Sequence, residues 1–180
     1  MTGFMRRLSG IARDQRGVSA VEFALLAPVM IGLYLGCAEI SDGVSADRKV
    51  SLTSAALANL TAQVSTISSS DMTNILDASS AIIAPYAANK LKMTVTCLKI
   101  DANKVVTTKW SVTRGGTANT GSMTIPTALA VANSYLILAE ASYAYTPTVG
   151  YTISGTLNLA DKMYMSPRIT APTYNGIACT

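Results

Sequence analysis

The chain has 180 residues, of which 49% are apolar and 13% are charged. This composition suits one modest domain with a membrane anchor and excludes a chain that is disordered throughout. The sequence has no histidine, which excludes imidazole metal ligands and Ser-His or Cys-His catalysis. Residues 1–17 hold four of the 14 basic residues and one of the ten acidic residues, so the remainder is nearly neutral. A basic surface for nucleic acid would have to lie mostly in that short piece, and we expect no nucleic-acid partner.

Signatures of enzymatic chemistry are not recognisable in the sequence. It shows no Gly-rich phosphate loop, no nucleophile elbow and no recognisable pair of carboxylates. The three cysteines, Cys37, Cys97 and Cys179, have neither CxxC nor zinc-site spacing. We therefore predict that the protein is not an enzyme and that it has no cofactor, no metal site and no small-molecule substrate.

An apolar run from Val18 to Ala38 contains a single charge, Glu22. As a helix this run would extend about 31 Å, which matches the hydrocarbon core of a bilayer. It predicts a transmembrane helix, which we place at residues 18–40. The arginines that precede it predict that residues 1–17 are cytoplasmic and that the chain beyond the span lies outside the cytoplasm. Pro28 lies inside the predicted helix, where it removes one backbone hydrogen bond and favours a kink.

Apolar residues continue at helical spacing beyond the anchor and predict a helical stalk and a second helix within residues 41–85. Packing of the first helix on its own domain is favoured over a seam for a partner. Ser68–Ser70 are expected to supply the N-cap of the second helix, and Pro85 is expected to end it. The first stripe holds Val50, Leu57, Leu60, Val64 and Ile67, and the second holds Met72, Ile75, Leu76, Ser79, Ile82 and Ile83.

From residue 90 the apolar spacing changes to two, which predicts an antiparallel β domain at residues 90–180. Asp101–Asn103 are the expected hairpin turn, and residues 114–122 are a polar, Gly-rich loop. A Tyr-rich strand follows, and a last strand is expected at residues 156–165. One face of the first two strands is predicted to carry Leu91, Met93, Val95 and Cys97 together with Val106, Thr108, Trp110 and Val112.

The predicted fold class is therefore α+β. A long N-terminal helix serves as transmembrane segment and stalk, a second short helix follows, and a small antiparallel β-sheet completes the chain.

The segment RDQRGVSAVEFALLAPV combines a basic leader, Gly17, an apolar helix and a glutamate at the fifth position after the glycine. This order resembles the class III prepilin signals of the type IV pilin superfamily. The pattern GxxAVEFALxxP more narrowly resembles the TadE-like pseudopilins of Flp/Tad (tight adherence) pili. Residues 13–40 carry this resemblance, and residues 135–168 carry a weaker one. Because the major Flp pilin is little more than a helix, the predicted sheet domain favours the minor, TadE-like class.

The resemblance implies a processing event and an assembly function. A prepilin peptidase would cut between Gly17 and Val18, which removes the leader 1–17 and keeps the apolar helix in the mature subunit. Glu22 and Pro28 would then serve assembly, with other pilins and Tad assembly proteins as partners within the inner-membrane lipid. The expected function is that of a minor pilin or pseudopilin required for a Flp/Tad pilus used in surface adherence.

Other interpretations of the N-terminal segment remain open at this level. The segment could be a secretory signal peptide, although Glu22 falls inside its apolar region, or a lipoprotein signal that ends at Cys37. Glu22 could also lie near the headgroups simply because it is close to the end of the span. The alternative function is a membrane-anchored extracytoplasmic binding module with a signal-anchor helix.

The predicted topology divides the cysteines by location. Cys37 lies at the outer end of the span, where we expect a packed free thiol. Cys97 and Cys179 would lie in the oxidising compartment, where exposed free thiols are uncommon. We therefore expect a disulfide between them that ties the C-terminal tail to the first strand of the sheet. The alternative is a pair of free thiols.

Overall fold

The computed structural model describes residues 17–147, 150 and 155–180. Its first element, α1, is one continuous helix over Val18–Ala62. At about 1.5 Å per residue its 45 residues extend about 68 Å, twice the thickness of a bilayer core. The helix passes through Pro28 without interruption. Residues 1–16 of the predicted leader lie outside the described residues.

A four-stranded antiparallel sheet forms the second half of the chain, which confirms the predicted α+β class. Its four strands are β2 Leu91–Ile100, β3 Val106–Arg114, β4 Ser134–Tyr145 and β5 Leu157–Met165. They lie in the order β3-β2-β4-β5, so β2 and β4 are the central strands and β3 and β5 are the edges. The Tyr-rich segment is β4.

A short helix, α2 (Ser69–Ser80), connects α1 to the sheet. Ser68 caps it as expected, because its hydroxyl accepts from the Asp71 N–H and the Asp71 carboxylate accepts from the Ser68 N–H. One turn of 3-10 helix, Ala81–Ile83, follows before Pro85. The apolar side of α2 was correctly predicted, since its buried residues are Met72, Leu76 and Ser79, with Ile83 buried just beyond.

The predicted stripe on α1 is wrong at its last two members. The helix ends at Ala62, and Val64 is exposed in the following turn. Ile67 is buried in β1 (Thr66–Ile67), a short strand that pairs in parallel with β6 (Thr173–Tyr174) near the C-terminus. This two-stranded pairing has no signal in the sequence, because two-residue strands are too short to show a period.

The main core lies between the C-terminal half of α1 and one face of the sheet, so this half of the helix packs on its own domain as favoured above. It contains helix residues such as Val50 and Leu57 and strand residues such as Val95 and Ile137, each fully buried. Ser54 also donates a hydrogen bond to Asp161 of β5 across this interface, at 3.0 Å.

The prediction that alternate residues of the second strand share one face is partly wrong, because β3 contains a bulge. Cys97 pairs with Trp110 but Leu98 pairs with Thr108, so Lys109 is an extra residue in β3. Trp110 therefore faces the helix, whereas Val106 lies on the opposite face. There Val106 belongs to a second apolar cluster with Leu98, Ile100, Ile125, Leu136 and Leu138.

Candidate assembly site: the exposed helix and its junction with the sheet

The N-terminal half of α1 projects away from the folded domain. Every residue from Val18 to Ala38 is exposed or partly exposed, and the first buried residue of the helix is Glu39. Large apolar side chains are open along its length; Phe23 is 69% exposed and Tyr34 is 73% exposed. Exposure of this apolar surface to water is unfavourable, whereas lipid or other apolar helices would cover it. By length and composition, α1 is the one described helix that could cross a membrane.

The predicted processing and assembly residues lie at the start of this exposed half. Gly17 is the N-cap of α1, and no side chain caps the helix there. Val18 is the first helical residue and is 50% exposed. Glu22 lies one turn further along, is exposed, and is the only charged residue between Gly17 and Ala38. The structure thus places these three residues within the first two turns of one helix.

A shallow groove runs along the exposed helix one turn and a half beyond Glu22. Pro28, Gly32 and Gly36 line it at intervals of four residues, and Cys37 lies at its outer end with an exposed free thiol. The expectation that the Cys37 thiol is packed is therefore wrong within this single chain. Small residues at this spacing allow a neighbouring helix to approach closely in a membrane.

Asp42 forms a junction between the helix and the sheet domain just outside the apolar run. Its Oδ1 accepts a hydrogen bond from the hydroxyl of Tyr86 at 2.7 Å, and its Oδ2 accepts one from the hydroxyl of Tyr145 at 2.8 Å. Gly43 lies against the Tyr145 ring, where an added Cβ would be 3.7 Å from the ring, in ordinary van der Waals contact. The two tyrosine rings contact each other edge to face, with centroids 6.2 Å apart.

The surroundings of this junction shift the acidity of both tyrosines. Burial, followed by the hydrogen bond to the Asp42 carboxylate and the charges of Asp42 and Glu39, raises the pKa of Tyr145 to about 12. Burial, followed by the hydrogen bond to Asp42, also raises the pKa of Tyr86 well above its usual range. Both hydroxyls therefore remain protonated donors at neutral pH.

The C-terminal tail is attached to the sheet at two places. A disulfide joins Cys97 of β2 to Cys179, and both residues are fully buried. Trp110 donates its indole N–H to the carbonyl of Pro172 at 3.0 Å. The tail therefore covers the face of β2 and β3 at the end of the main core.

The family model described as TadE-like protein matches residues 17–58, so this segment is similar to TadE-like proteins. No curated protein and no solved structure matches the chain.

The TadE-like segment begins at Gly17 and ends within the part of α1 that packs on the sheet. It therefore includes both the exposed apolar helix and the junction at Asp42. The sequence analysis identified the first part through the glycine, the glutamate and the proline. It missed the Asp42 junction, because Tyr86 and Tyr145 lie 44 and 103 residues away and no local pattern links them.

The remaining predicted residues do not meet at one site. Cys97 and Cys179 lie in the sheet domain, remote in the fold from the helix start that carries Gly17 and Glu22. Across residues 17–147, 150 and 155–180, no three Cys, Asp or Glu side chains are grouped so that they could hold a metal ion.

Proposed function

We propose that this protein is a TadE-like minor pilin or pseudopilin that assembles with other pilins of a Flp/Tad pilus. The observation that carries the proposal is the exposed apolar helix, which starts at Gly17 and holds one charge, Glu22, five residues later. The TadE-like match begins at the same glycine. A protein of this kind acts structurally, by presenting a helix to its partners, and needs no catalytic residue.

Processing after Gly17 would give Val18 a free α-amine. The leader 1–17 would be lost on the cytoplasmic side, residues 18–40 would span the inner membrane, and the domain formed by 90–180 would lie in the periplasm. Residues 41–85 would connect the two. This topology is supported by the arginines of the leader and by the burial that starts at Glu39, directly after the apolar run.

Glu22 would then set the register in which neighbouring subunits stack. Its carboxylate lies about one helical turn from the new amine and could approach the amine of a neighbouring subunit. At about 4 Å and an effective dielectric near 20 the attraction amounts to about 4 kcal/mol. Desolvation of the two ions is of similar size, so the pair adds little net stability. A subunit stacked in the wrong register would bury an unpaired charge, and this penalty would reject it.

Gly17→Val tests the proposal. Among the described residues, apart from its chain neighbours and the adjoining helix backbone, no atom lies within 4 Å of the position that a Cβ at residue 17 would occupy, so the described fold accommodates valine there. A peptidase cleft that requires close backbone approach would not accommodate it. We expect mass spectrometry of the wild-type membrane protein to show a mature chain that begins at Val18, and the variant to remain full length.

Gly10→Val is the matched control, since it adds the same side chain within the leader, and we expect normal processing. A wild-type chain that starts near residue 38, an acylated Cys37, or an uncut leader would contradict the pilin proposal. An uncut leader in particular would favour a membrane-anchored binding module.

A further inference from the structure

A cleft with lysines at its rim lies on the face of the sheet that points away from α1. It consists of two adjoining cavities of about 250 and 330 Å³, which share Lys92 and Ser142. Lys90 and Asn158 line the smaller cavity, and Thr94 and Lys162 line the larger one. Lys90 and Lys92 are both exposed to solvent.

The charges of this cleft leave a positive potential at its smaller end. Two carboxylates line the larger cavity. Asp161 accepts a hydrogen bond from Ser54 of α1 at 3.0 Å. Glu140 pairs with Lys162 at 2.6 Å and also accepts a hydrogen bond from Asn119 at 2.6 Å. Glu140 is thereby neutralised. Among the described residues, neither Lys90 nor Lys92 forms an ion pair. The nearby Asp42 carboxylate is bound by two tyrosine hydroxyls at the helix junction.

The smaller end of the cleft is also the end of the sheet nearest the membrane. Along α1, Asp42 contacts Tyr145, then Ser54 contacts Asp161, and the Ala62 carbonyl accepts from Arg168. The end of β4 at Tyr145 therefore lies nearest the apolar run, and Arg168 lies farthest from it. Because Leu91 pairs with Tyr143, β2 starts at the end nearest the apolar run.

The height of this end above the bilayer follows from the helix. Asp42 lies four residues beyond Ala38, or about 6 Å along the axis, and headgroups occupy about 5–7 Å on each side of the hydrocarbon core. Tyr86 touches Asp42, and Lys90 follows Tyr86 by four residues. Lys90 and Lys92 therefore lie at the end of the sheet domain that is nearest the headgroups.

We propose that this cleft binds the phosphate of an anionic phospholipid headgroup in the leaflet next to the sheet domain. Lys90 and Lys92 supply the charge, and the Ser142 hydroxyl and the Asn158 amide supply hydrogen-bond donors. Binding would hold the sheet domain upright on the bilayer beside its own anchor helix. The inference rests on membrane anchoring and is independent of pilus assembly.

Amine labelling of the full chain in lipid nanodiscs tests this site. We compare discs of phosphatidylcholine with discs that also contain phosphatidylglycerol, and measure acetylation of each lysine by mass spectrometry. Attraction to an anionic surface strengthens the binding of each nearby lysine about fivefold. We therefore expect labelling of Lys90 and Lys92 to fall by about that factor. Lys104, exposed in the turn at the far end of the sheet, is the internal control and should not change. Lys92→Gln should weaken the protection of Lys90, whereas Lys104→Gln should not.

Three results would overturn the proposal. Equal labelling of Lys90 and Lys92 in both kinds of disc, with the chain inserted, would exclude the headgroup site and leave the pilin proposal intact. Equal protection by millimolar inorganic phosphate in phosphatidylcholine discs would assign the cleft to a soluble anion. A chain that does not enter discs at all would contradict the membrane anchor, and with it both proposals.

Discussion

The hydroxyl of Tyr145 donates a hydrogen bond to Oδ2 of Asp42 at 2.8 Å, across 103 residues of sequence. Asp42 is four residues beyond the apolar run of α1, and Tyr145 is the last residue of β4. Tyr86 donates to the other carboxylate oxygen of the same aspartate. The orientation of the sheet relative to the exposed half of α1 is therefore fixed at a point close to the end of the apolar run.

Tyr145→Phe is expected to lower the free energy of unfolding of the sheet domain by about 1–2 kcal/mol. The change removes a buried hydrogen bond to a charged acceptor and keeps the ring that packs on Gly43. Urea unfolding of the full chain in detergent, followed by the fluorescence of the single tryptophan, Trp110, measures the effect. Tyr135→Phe is the matched control, since that ring packs on the same core and its hydroxyl makes no hydrogen bond among the described residues. Equal losses in the two variants would show that the Asp42 contact is not stabilising.

The stability of the domain is expected to fall between about pH 10 and 12. The pKa of Tyr145 rises from an ordinary value near 10 to about 12 on folding, so the folded state holds this proton more tightly than the unfolded state. Its contribution is fully present below about pH 10 and is lost as the pH rises through about 12. Unfolding free energies measured across this range should decline less steeply in Tyr145→Phe than in wild type. Tyr86 and Lys162, whose pKa values are also raised on folding, contribute to the remaining decline. Parallel curves for the two proteins would contradict this origin.

Replacing Cys97 and Cys179 together by alanine is expected to lower the free energy of unfolding by about 2–4 kcal/mol. The disulfide closes a loop of 82 residues and holds the tail against a fully buried position in β2. Cys37→Ala, which changes an exposed thiol outside the domain, should leave the value nearly unchanged. Non-reducing peptide mapping of envelope protein should recover Cys97 and Cys179 as one linked pair. Alkylatable thiols at both positions would show that the tail is held by other contacts.

The helices and long strands could be predicted from the sequence because their apolar residues keep a regular spacing over many positions. Three local signals carried these predictions: the apolar run from Val18, the alternation from Leu91 to Cys97 and the capping serine, Ser68. Tertiary packing reinforces each of these local preferences. The bulge at Lys109 could not be predicted, since VVTTKWSVT alternates equally well without it.

Contacts between segments that are distant in the chain could not be predicted from the sequence either. The Gly-rich loop was predicted as a polar connection. Its Asn119 instead binds Glu140 and Thr96 on the outer face of the sheet, while the following residues cover the second apolar cluster. The Asp42 junction depends on the packing of α1 against β4, which only the complete fold determines.

Glu22→Ala is expected to insert in the membrane and to be processed normally, yet to fail to co-purify with partner pilins. Loss of a carboxylate from the span lowers the cost of insertion by about 2.5 kcal/mol or less at this off-centre position, so abundance should not fall. Glu22→Gln keeps the shape and hydrogen bonding of the side chain but removes the charge that would meet the α-amine of Val18. Assembly should therefore be impaired nearly as much as with alanine. The measurements are the amount of subunit in membranes, its mature mass, its co-purification with pilins and the number of pili per cell.

Asp47→Asn is the matched control for this experiment. Asp47 is an exposed acidic residue on the same helix within the TadE-like segment, but it lies beyond the apolar run. If loss of any acidic charge on α1 reduced assembly, this variant would fail as well, whereas the register mechanism predicts that it assembles normally. Wild-type assembly by both Glu22 variants would show that the carboxylate only faces the headgroups. The physical argument for register would then be lost, and the membrane-anchored binding module would be the better account of this helix.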